Sequence, residues 1–227
     1  MTIISILSRV PIFDGFSQEE LEEVARLLTE KKFQADEDIF FETDPGKDFY
    51  MVYEGRIKIY KMSPGGQVKV LDYLEEGDFF GEMALLDNSC RSANAVALAD
   101  STLLVLRQSD FDSLMKSRPD LLLRIARTLS ARLRKADSEI EMLSFSGVKN
   151  RLIQSIYNLA EKYGEETPDG LLIPSDFTHR DISELVGTAR EVVSRVIKEL
   201  KKEGLITTDG RNIVVRDLHS LLEKIRD

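Results

Sequence analysis

The stretch from Pro119 to Phe145 constrains the fold most, because it contains neither glycine nor proline after its first residue. Its apolar residues recur at alternating steps of four and three, at Leu122, Ala126, Leu129, Leu133, Ala136, Ile140 and Leu143. This spacing predicts a long α-helix with a heptad seam, flanked by charged residues. A helix packed on its own domain is the alternative. We favour a parallel pair of such helices, since the two seam alanines allow close approach.

The residues before this helix have the pattern of a small antiparallel β-structure. From about Phe33 to Arg107, short alternating apolar runs such as "DFYMVYEGRIKIY" and "VKVLDYLEEGDFF" are separated by turn residues, including the hairpin signal "SPGGQ". Strands this short and evenly spaced indicate an antiparallel β-roll, similar to a jelly roll. A helix is predicted ahead of it, because Ser17 and Glu20 form a capping-box pattern.

The residues after the helix have a different periodicity. Three helical segments and the segment "LITTDGRNIVV", a hairpin with its turn at Asp209-Gly210, follow Gly147. This is the element order of a winged helix-turn-helix. The sequence therefore predicts an α+β protein with a β-roll over residues 1–118, a dimerisation helix over 119–146 and a winged helix-turn-helix over 147–227. Residues 144–150 are the expected hinge, since Gly147 interrupts the long helix.

Composition and charge exclude several classes of protein. No apolar run is long enough to span a membrane, no signal peptide is recognisable, and Cys90 is the only cysteine, so we expect a cytoplasmic chain without disulfides or membrane partners. The net charge of −9 argues at first against nucleic acid. However, residues 1–147 carry net −8 and residues 148–227 only −1. Whether the C-terminal part binds nucleic acid must therefore be judged from its local residue pattern.

The segment "THRDISELVGTAREVVSRVIKELKKEGLI" is the most specific pattern in the chain. Gly187 allows a tight turn between two helices, and Arg190, Glu191 and Arg195 lie near the start of the second helix. The beginning of such a recognition helix enters the major groove, where Arg bonds guanine and Glu accepts from cytosine. An internal Glu191–Arg195 ion pair on a solvated face is the alternative. The complete arrangement favours DNA binding.

A second pattern, "FFGEMALLDNSCRSANAVA", places Gly81 and Glu82 nine residues before Arg91 and Ser92. One interpretation is a buried Glu82–Arg91 ion pair across a hairpin, which would be marginal for stability. The other is a ligand site. There Glu82 accepts from a ribose hydroxyl, Arg91 and Ser92 bind a phosphate, and Gly81 admits close approach. The apolar residues expected to line the rest of such a site are Leu71, Leu74 and Met83.

The sequence resembles the CRP/FNR family of bacterial transcription regulators over nearly its full length. "GEMALLDNSCRSA" is similar to the phosphate-binding cassette of that family, in which Ala84 holds the small-residue position. "TAREVVSRVIKEL" resembles its recognition helix, with Ser194 at the Ser/Gly position. The resemblance implies a homodimer on a palindromic promoter with TGTGA-like half-sites, RNA polymerase as a partner, and a cyclic nucleotide bound through Glu82, Arg91 and Ser92.

The base-reading positions depart from the cyclic-AMP receptor pattern. Ala136 and Asp137 stand where that protein has a threonine and a serine, and Asp137 can accept from either adenine or guanine. Cyclic AMP is the first choice of effector, with cyclic GMP or cyclic di-GMP behind it. A response to another anion, activity without ligand, and a regulatory subunit of an enzyme are the remaining alternatives. No catalytic residue set is recognisable.

The sequence lacks the residues that sensing through a metal centre would require. There is no N-terminal cysteine cluster for an iron–sulfur centre, and His179 and His219, the only histidines, both fall in the DNA-binding part, so no haem is expected. Cys90 beside Arg91 is a weak candidate for a redox thiol. His179 and Arg180 are expected to contact DNA phosphates. In the expected mechanism, ligand shifts the two helices at the seam, and Glu82→Ala or Arg91→Ala removes the ligand dependence of DNA binding.

Overall fold

The computed structural model describes residues 2–174, 177–210 and 212–226. They group into two compact units. The first comprises residues up to Lys61 together with Leu71–Lys135, and the second comprises Met62–Val70 together with the residues from Ala136 onward. None of the described helices is long and apolar enough to cross a membrane.

The described residues before the long helix form eight strands and four short helices. The strands are β1 (Thr29–Phe33), β2 (Asp38–Phe40), β3 (Asp48–Glu54), β4 (Ile57–Met62), β5 (Val68–Leu74), β6 (Phe79–Phe80), β7 (Asn94–Ala97) and β8 (Ser101–Arg107). The helices are α1 (Ile3–Leu7), α2 (Gln18–Leu27), α3 (Glu82–Asp87) and α4 (Gln108–Ser117), and a 3-10 turn covers Pro11–Phe13. The predicted capping box of α2 is present, with Ser17 and Glu20 bonded reciprocally.

The strands form two four-stranded antiparallel sheets, in the orders β1-β8-β3-β6 and β2-β7-β4-β5. Along β3 the side chains alternate between two cores. Tyr50 and Val52 face a core shared by both sheets, whereas Phe49 and Met51 face a second core that includes residues of α2 and α4. The β-roll predicted from the alternation is therefore confirmed, with one sheet buried on both faces.

The predicted long helix is α5 (Asp120–Phe145). At its beginning, Leu121 and Ile125 are buried in the helical core of the first unit. Of the heptad seam, Leu129 also packs against this core, whereas Leu133 and Ile140 are 63% and 60% exposed. The helix ends where Gly147 caps the next helix, so the break predicted at this glycine is confirmed.

In the C-terminal part, the residues that the structure describes form four helices and a third sheet. The helices are α6 (Val148–Tyr163), α7 (His179–Val186), α8 (Arg190–Lys202) and α9 (Leu218–Arg226). The strands are β9 (Glu165–Thr167), β10 (Gly170–Ile173), β11 (Ile206–Asp209) and β12 (Asn212–Val215), in the order β11-β12-β10-β9. The β11–β12 hairpin confirms the predicted wing. The sequence analysis missed β9, β10 and α9, because their segments are too short to show a clear periodicity.

Candidate functional site

The polypeptide makes a sharp, glycine-dependent turn at the start of α3. Gly81 lies in the left-handed region at φ +86° and caps the helix. A Cβ atom here would lie 2.7 Å from Arg91 Nη1 and 3.1 Å from the Asp48 carbonyl oxygen. Gly81 is therefore required both by its backbone conformation and by the close approach of Arg91.

Arg91 is held in a defined orientation although it is only 4% exposed. Nη1 donates to the Gly81 carbonyl at 3.0 Å, and Nη2 donates to the Asp48 carbonyl at 2.9 Å. Its guanidinium carbon lies 4.4 Å from the centre of the Phe40 ring and 5.4 Å from that of Tyr50. These contacts fix the cation without a carboxylate, so its charge remains available to an anionic group.

Burial and the nearby charges have opposite effects on the pKa of Arg91. Burial lowers the pKa of Arg91, whereas Tyr50, Asp48, Asp44 and Glu82 oppose that shift. Burial, followed by the nearby Asp48, also raises the pKa of Tyr50 to about 12, so this phenol is neutral at pH 7. A bound anion would relieve the cost of holding the guanidinium away from water.

Glu82 does not form the buried ion pair with Arg91 that was the alternative to a ligand site. It is 1% exposed, and Oε1 accepts a hydrogen bond of 2.8 Å from Nη1 of Arg132 on α5. Nη2 of Arg132 donates to the Phe79 carbonyl at 2.6 Å, and no Glu82–Arg91 ion pair occurs among the described residues. The hairpin expected between the acid and the base is also wrong, since α3 occupies its first half. Backbone carbonyls accept from the two Nη atoms of Arg91, and a distant helix supplies the partner of Glu82 Oε1.

Two buried polar atoms at this site lack partners. Within the described part of the chain, neither Glu82 Oε2 nor Arg91 Nε has a hydrogen-bond partner. Buried polar groups are normally satisfied, so such exceptions point to function. One atom is an acceptor on an acid and the other is a donor on a base, the combination that a hydroxylated anion requires.

The other residues predicted at the ligand site have varied surroundings. The Ser92 hydroxyl donates weakly to the Met83 sulfur at 3.4 Å, and both side chains are exposed. Ala84 is buried. Leu74 belongs to the core between the sheets, whereas Leu71 is partly exposed. Ala136, Asp137 and the Cys90 thiol are exposed, and the roles predicted for them stay predictions.

Arg132 is the functional residue that the sequence analysis missed. It appeared there only as one of several charges beside the heptad seam. Its spacing from Lys135 and Glu139, three and then four residues, was a usable signal, because these positions share one face of a helix. The partner of that face was not predictable, since Glu82 lies 50 residues away.

The helix-turn-helix is built as the sequence predicts. The Thr178 hydroxyl and the Asp181 carboxylate form a capping box that starts α7, and Gly187 ends this helix at φ +71°. A Cβ at Gly187 would meet nothing within 4 Å, so its left-handed backbone, rather than crowding, calls for glycine. The helix α8 begins three residues later.

One exposed face of α8 carries the residues predicted to contact DNA. Arg190, Glu191 and Arg195 are exposed, and a groove along this face is lined by Arg190, Glu191, Ser194, Arg195, Lys198, Glu199 and Lys202. The alternative Glu191–Arg195 ion pair is not among the salt bridges of the described residues. These side chains are therefore presented to solvent rather than used within the helix.

The two helices of the motif are joined by a polar contact. Nδ1 of His179 lies 3.0 Å from the Ser194 hydroxyl. Burial, and then the nearby charge of Arg190, lower the pKa of His179. The exposed Arg180 donates to the largely buried Glu184 at 3.0 Å. The phosphate contacts predicted for His179 and Arg180 stay predictions.

Comparisons with known proteins agree with this arrangement. Residues 30–118 match the model of the cyclic nucleotide-binding domain, and residues 150–224 match the Crp-like helix-turn-helix domain. The Cyclic AMP receptor protein of Thermus thermophilus is 34% identical over 215 residues, which are 95% of this chain and 96% of the relative. The chain belongs to the CRP/FNR family of transcription regulators. It is therefore a regulator and not an enzyme, and the alternative of an enzyme's regulatory subunit is rejected.

Solved structures with a similar fold include a regulator that is named for its response to cyclic di-GMP. A CRP/FNR regulator of Thermus thermophilus matches with TM-score 0.72 and 30% identity, over 88% of this chain and 99% of that one. The c-di-GMP responsive global regulator CLP of Xanthomonas campestris matches with TM-score 0.78 at 24% identity, over 87% and 98%. The second match supports the fold alone. Family membership therefore leaves the effector to be argued from the site.

Proposed function

We propose that this regulator is controlled by a cyclic nucleotide, with cyclic AMP as the first choice. The observation that carries the proposal is the pair of buried atoms without partners, Glu82 Oε2 and Arg91 Nε. A ribose hydroxyl donates to the first, and a cyclic phosphate oxygen accepts from the second. Because both groups are buried, a ligand that satisfies them gains charge-assisted hydrogen bonds in a low-dielectric site.

The existing contacts leave these groups able to act on a ligand. Glu82 uses only Oε1 to bind Arg132, and Arg91 uses both Nη atoms on backbone carbonyls. Ser92 is bonded only to a thioether sulfur, a weak acceptor, so a phosphate oxygen would replace that contact favourably. These features support the prediction that Glu82 binds the ribose, whereas Arg91 and Ser92 bind the phosphate.

The preference for cyclic AMP is supported by relatives rather than by a base contact. The Thermus relative is named as a cyclic AMP receptor protein, and a relative from Mycobacterium tuberculosis, 26% identical over 97% of this chain, is named as cAMP-activated. Ala136 and Asp137 stay the candidates for reading the base. Cyclic di-GMP, or an anion without a base, is the second candidate, because Arg91 suits any small anion.

The proposed regulator acts as a homodimer on palindromic promoter DNA. The exposed seam of α5 provides the surface for a second copy, and the exposed face of α8 provides the base-reading residues. Ligand would favour the arrangement that sets two recognition helices roughly one DNA turn (~34 Å) apart, with the hinge at residues 144–150. RNA polymerase is the partner that transcription control would require.

The test is isothermal titration of the purified protein with cyclic AMP, cyclic GMP and cyclic di-GMP. Three variants are compared with the wild type: Arg91→Met, Glu82→Gln and the control Arg26→Ala. The first two remove one ligand-binding charge each while keeping a similar side-chain volume. The control removes an exposed arginine of α2, which is distant in sequence from both binding residues.

Saturable binding of cyclic AMP that is weakened at least tenfold in Arg91→Met and Glu82→Gln, and is unchanged in Arg26→Ala, is the expected result. Tenfold corresponds to about 1.4 kcal/mol, within the range for one charge-assisted hydrogen bond. If the protein preferred cyclic di-GMP, the proposed effector would be wrong, but the proposed binding site would stand. No binding of any of the three nucleotides would overturn the proposal for the sensor, while the family assignment would stand.

A further inference from the structure

We propose that Lys69 positions α7 of the helix-turn-helix and couples ligand binding to DNA affinity. The residues Met62–Val70, the hairpin between β4 and β5, group with the C-terminal residues in the second unit. Within that unit, Lys69 Nζ donates to the Leu185 carbonyl at 2.5 Å and lies 3.1 Å from Glu139 Oε2. The coupling role rests on the function proposed above; the positioning role does not.

The contact is made at a point where α7 needs a donor. The last four carbonyls of a helix have no partner within the helix. The Ser183 carbonyl accepts from the backbone N–H groups of Gly187 and Thr188, and the Leu185 carbonyl accepts from Lys69. A positive charge at the C-terminal end of a helix is also favoured by the helix dipole. Lys69 therefore completes the end of α7 directly before the turn into α8.

Glu139 holds Lys69 in this position. The two side chains are 34% and 30% exposed, so their ion pair is partly protected from solvent. A cation that donates to both a carbonyl and a carboxylate is more restricted than one in an ordinary surface pair. Lys69 is thus a fixed link between α5 and the end of α7.

The same strand carries two residues predicted to line the ligand site. Beyond Lys69, β5 continues through Leu71 to Leu74, the two residues predicted to line that site. Asp72, between them, accepts from Lys135 at 2.9 Å. A strand is stiff, so a displacement of its ligand-proximal residues is transmitted to Lys69.

A stripe of charged residues on α5 favours one position of this helix. Arg132, Lys135 and Glu139 lie on one face of the helix and pair with Glu82, Asp72 and Lys69 respectively. A shift of α5 by one turn along its axis would separate all three pairs. A ribose hydroxyl that donates to Glu82 Oε2 would share this carboxylate with Arg132, which bonds Oε1 in the first pair of the stripe. The stripe therefore runs from the ligand-binding acid to the residue that holds α7.

The experiment uses the full chain and the variants Lys69→Met, Lys69→Arg and Lys61→Met. Lys69→Met removes the donor, and Lys69→Arg restores a cation with several donors. Lys61→Met is the matched control, because Lys61 also pairs with a glutamate, Glu42, and has no described contact with α7. Fluorescence anisotropy gives the Kd for a duplex with two TGTGA half-sites, without cyclic AMP and at saturating cyclic AMP. Titration calorimetry gives the Kd for cyclic AMP, and amide hydrogen exchange is followed at Gly187 and Thr188 without nucleotide or DNA.

The coupling ratio, the DNA Kd without cyclic AMP divided by that with it, is expected to fall about fivefold or more in Lys69→Met, as for one lost charge-assisted hydrogen bond. Lys69→Arg and Lys61→Met are expected to keep the wild-type ratio within about twofold, and cyclic AMP is expected to bind Lys69→Met as it binds the wild type. Exchange at Gly187 and Thr188 is expected to accelerate in Lys69→Met alone.

A wild-type ratio in Lys69→Met would overturn the coupling role, and unchanged exchange would overturn the positioning role. If the wild-type protein neither binds cyclic AMP nor responds to it in DNA affinity, the proposed effector and the coupling role both fail. The exchange experiment then decides the positioning role by itself, because it requires neither ligand. Failure of the proposed function is therefore distinguishable from failure of the role proposed for Lys69.

Discussion

Single residues at the proposed ligand site are arranged in a way that suits binding better than stability. A buried carboxylate such as Glu82 is costly unless it is paired, and its partner Arg132 is one third exposed. That pair satisfies one oxygen and leaves the other without a partner. Arg91 is held by carbonyls, which fix its position without neutralising its charge. A pair evolved for stability alone would satisfy all of these atoms.

Gly81 offers the sharpest prediction at this scale. Gly81→Ala is expected to lower the free energy of unfolding by about 2–3 kcal/mol and to weaken cyclic-nucleotide binding, because the new methyl group displaces the guanidinium of Arg91. Urea unfolding and titration calorimetry measure the two effects.

Gly66→Ala is the control, since Gly66 has φ +78° but nothing within 4 Å of its added Cβ. It is expected to show the backbone strain alone, about 1 kcal/mol, with ligand binding unchanged. Equal effects of the two substitutions would show that the crowding around Gly81 has no role.

At the scale of elements, α5 has two faces with different functions. Leu121 and Ile125 attach its beginning to the first unit, whereas the seam residues further along remain exposed. Large apolar residues exposed at heptad spacing are typical of a helix that packs against a second copy. The charged stripe through Arg132, Lys135 and Glu139 borders this seam, so changes in one affect the other.

Ile140→Glu is expected to convert the proposed dimer to a monomer, because it places a charge in the centre of the seam at each of two identical helices. Sedimentation velocity at micromolar concentrations measures the change. Ser138→Glu adds the same charge to an exposed position of α5 outside the seam and is expected to remain dimeric. A monomeric wild-type protein, or equal sedimentation of both variants, would contradict the role of the seam.

At the scale of the whole molecule, charge is divided between functions. The acidic residues concentrate before residue 148, and the C-terminal part is nearly neutral while α8 exposes Arg190, Arg195 and Lys198 on one face. A net charge of −9 disfavours non-specific binding to DNA. Specific binding must therefore depend strongly on a few base contacts.

Arg195→Ala is expected to weaken binding to the TGTGA-type duplex by roughly 10–100-fold, or about 1–3 kcal/mol, since it removes the proposed bidentate contact to guanine. Binding to a scrambled duplex is expected to change much less. Fluorescence anisotropy at several salt concentrations measures the affinities for the specific and the scrambled duplex separately.

Arg26→Ala, an equal loss of charge on α2, is expected to leave both affinities within about twofold of the wild type. If it weakened binding as much as Arg195→Ala, net charge rather than base recognition would explain the affinity.

Features that depend on local periodicity were determined by the sequence itself. The spacing from Leu122 to Leu143 predicted α5 nearly to the residue, the Ser17–Glu20 pattern predicted a capping box, and Gly187 predicted the turn between α7 and α8. Such features need only contacts between residues close in the chain, and those recur with a fixed period. The ligand-site and recognition-helix motifs were also evident, because they are contiguous.

Only the tertiary structure decided which distant groups these residues contact. Arg132 reaches Glu82 across 50 residues, and Lys69 reaches Leu185 across 116. Arg91 and Lys69 both donate to backbone carbonyls, which every residue has and which therefore leave no trace in a sequence. The side chains that can bind a ligand or DNA were thus identifiable from the sequence, whereas their partners depend on how the strands and α5 pack.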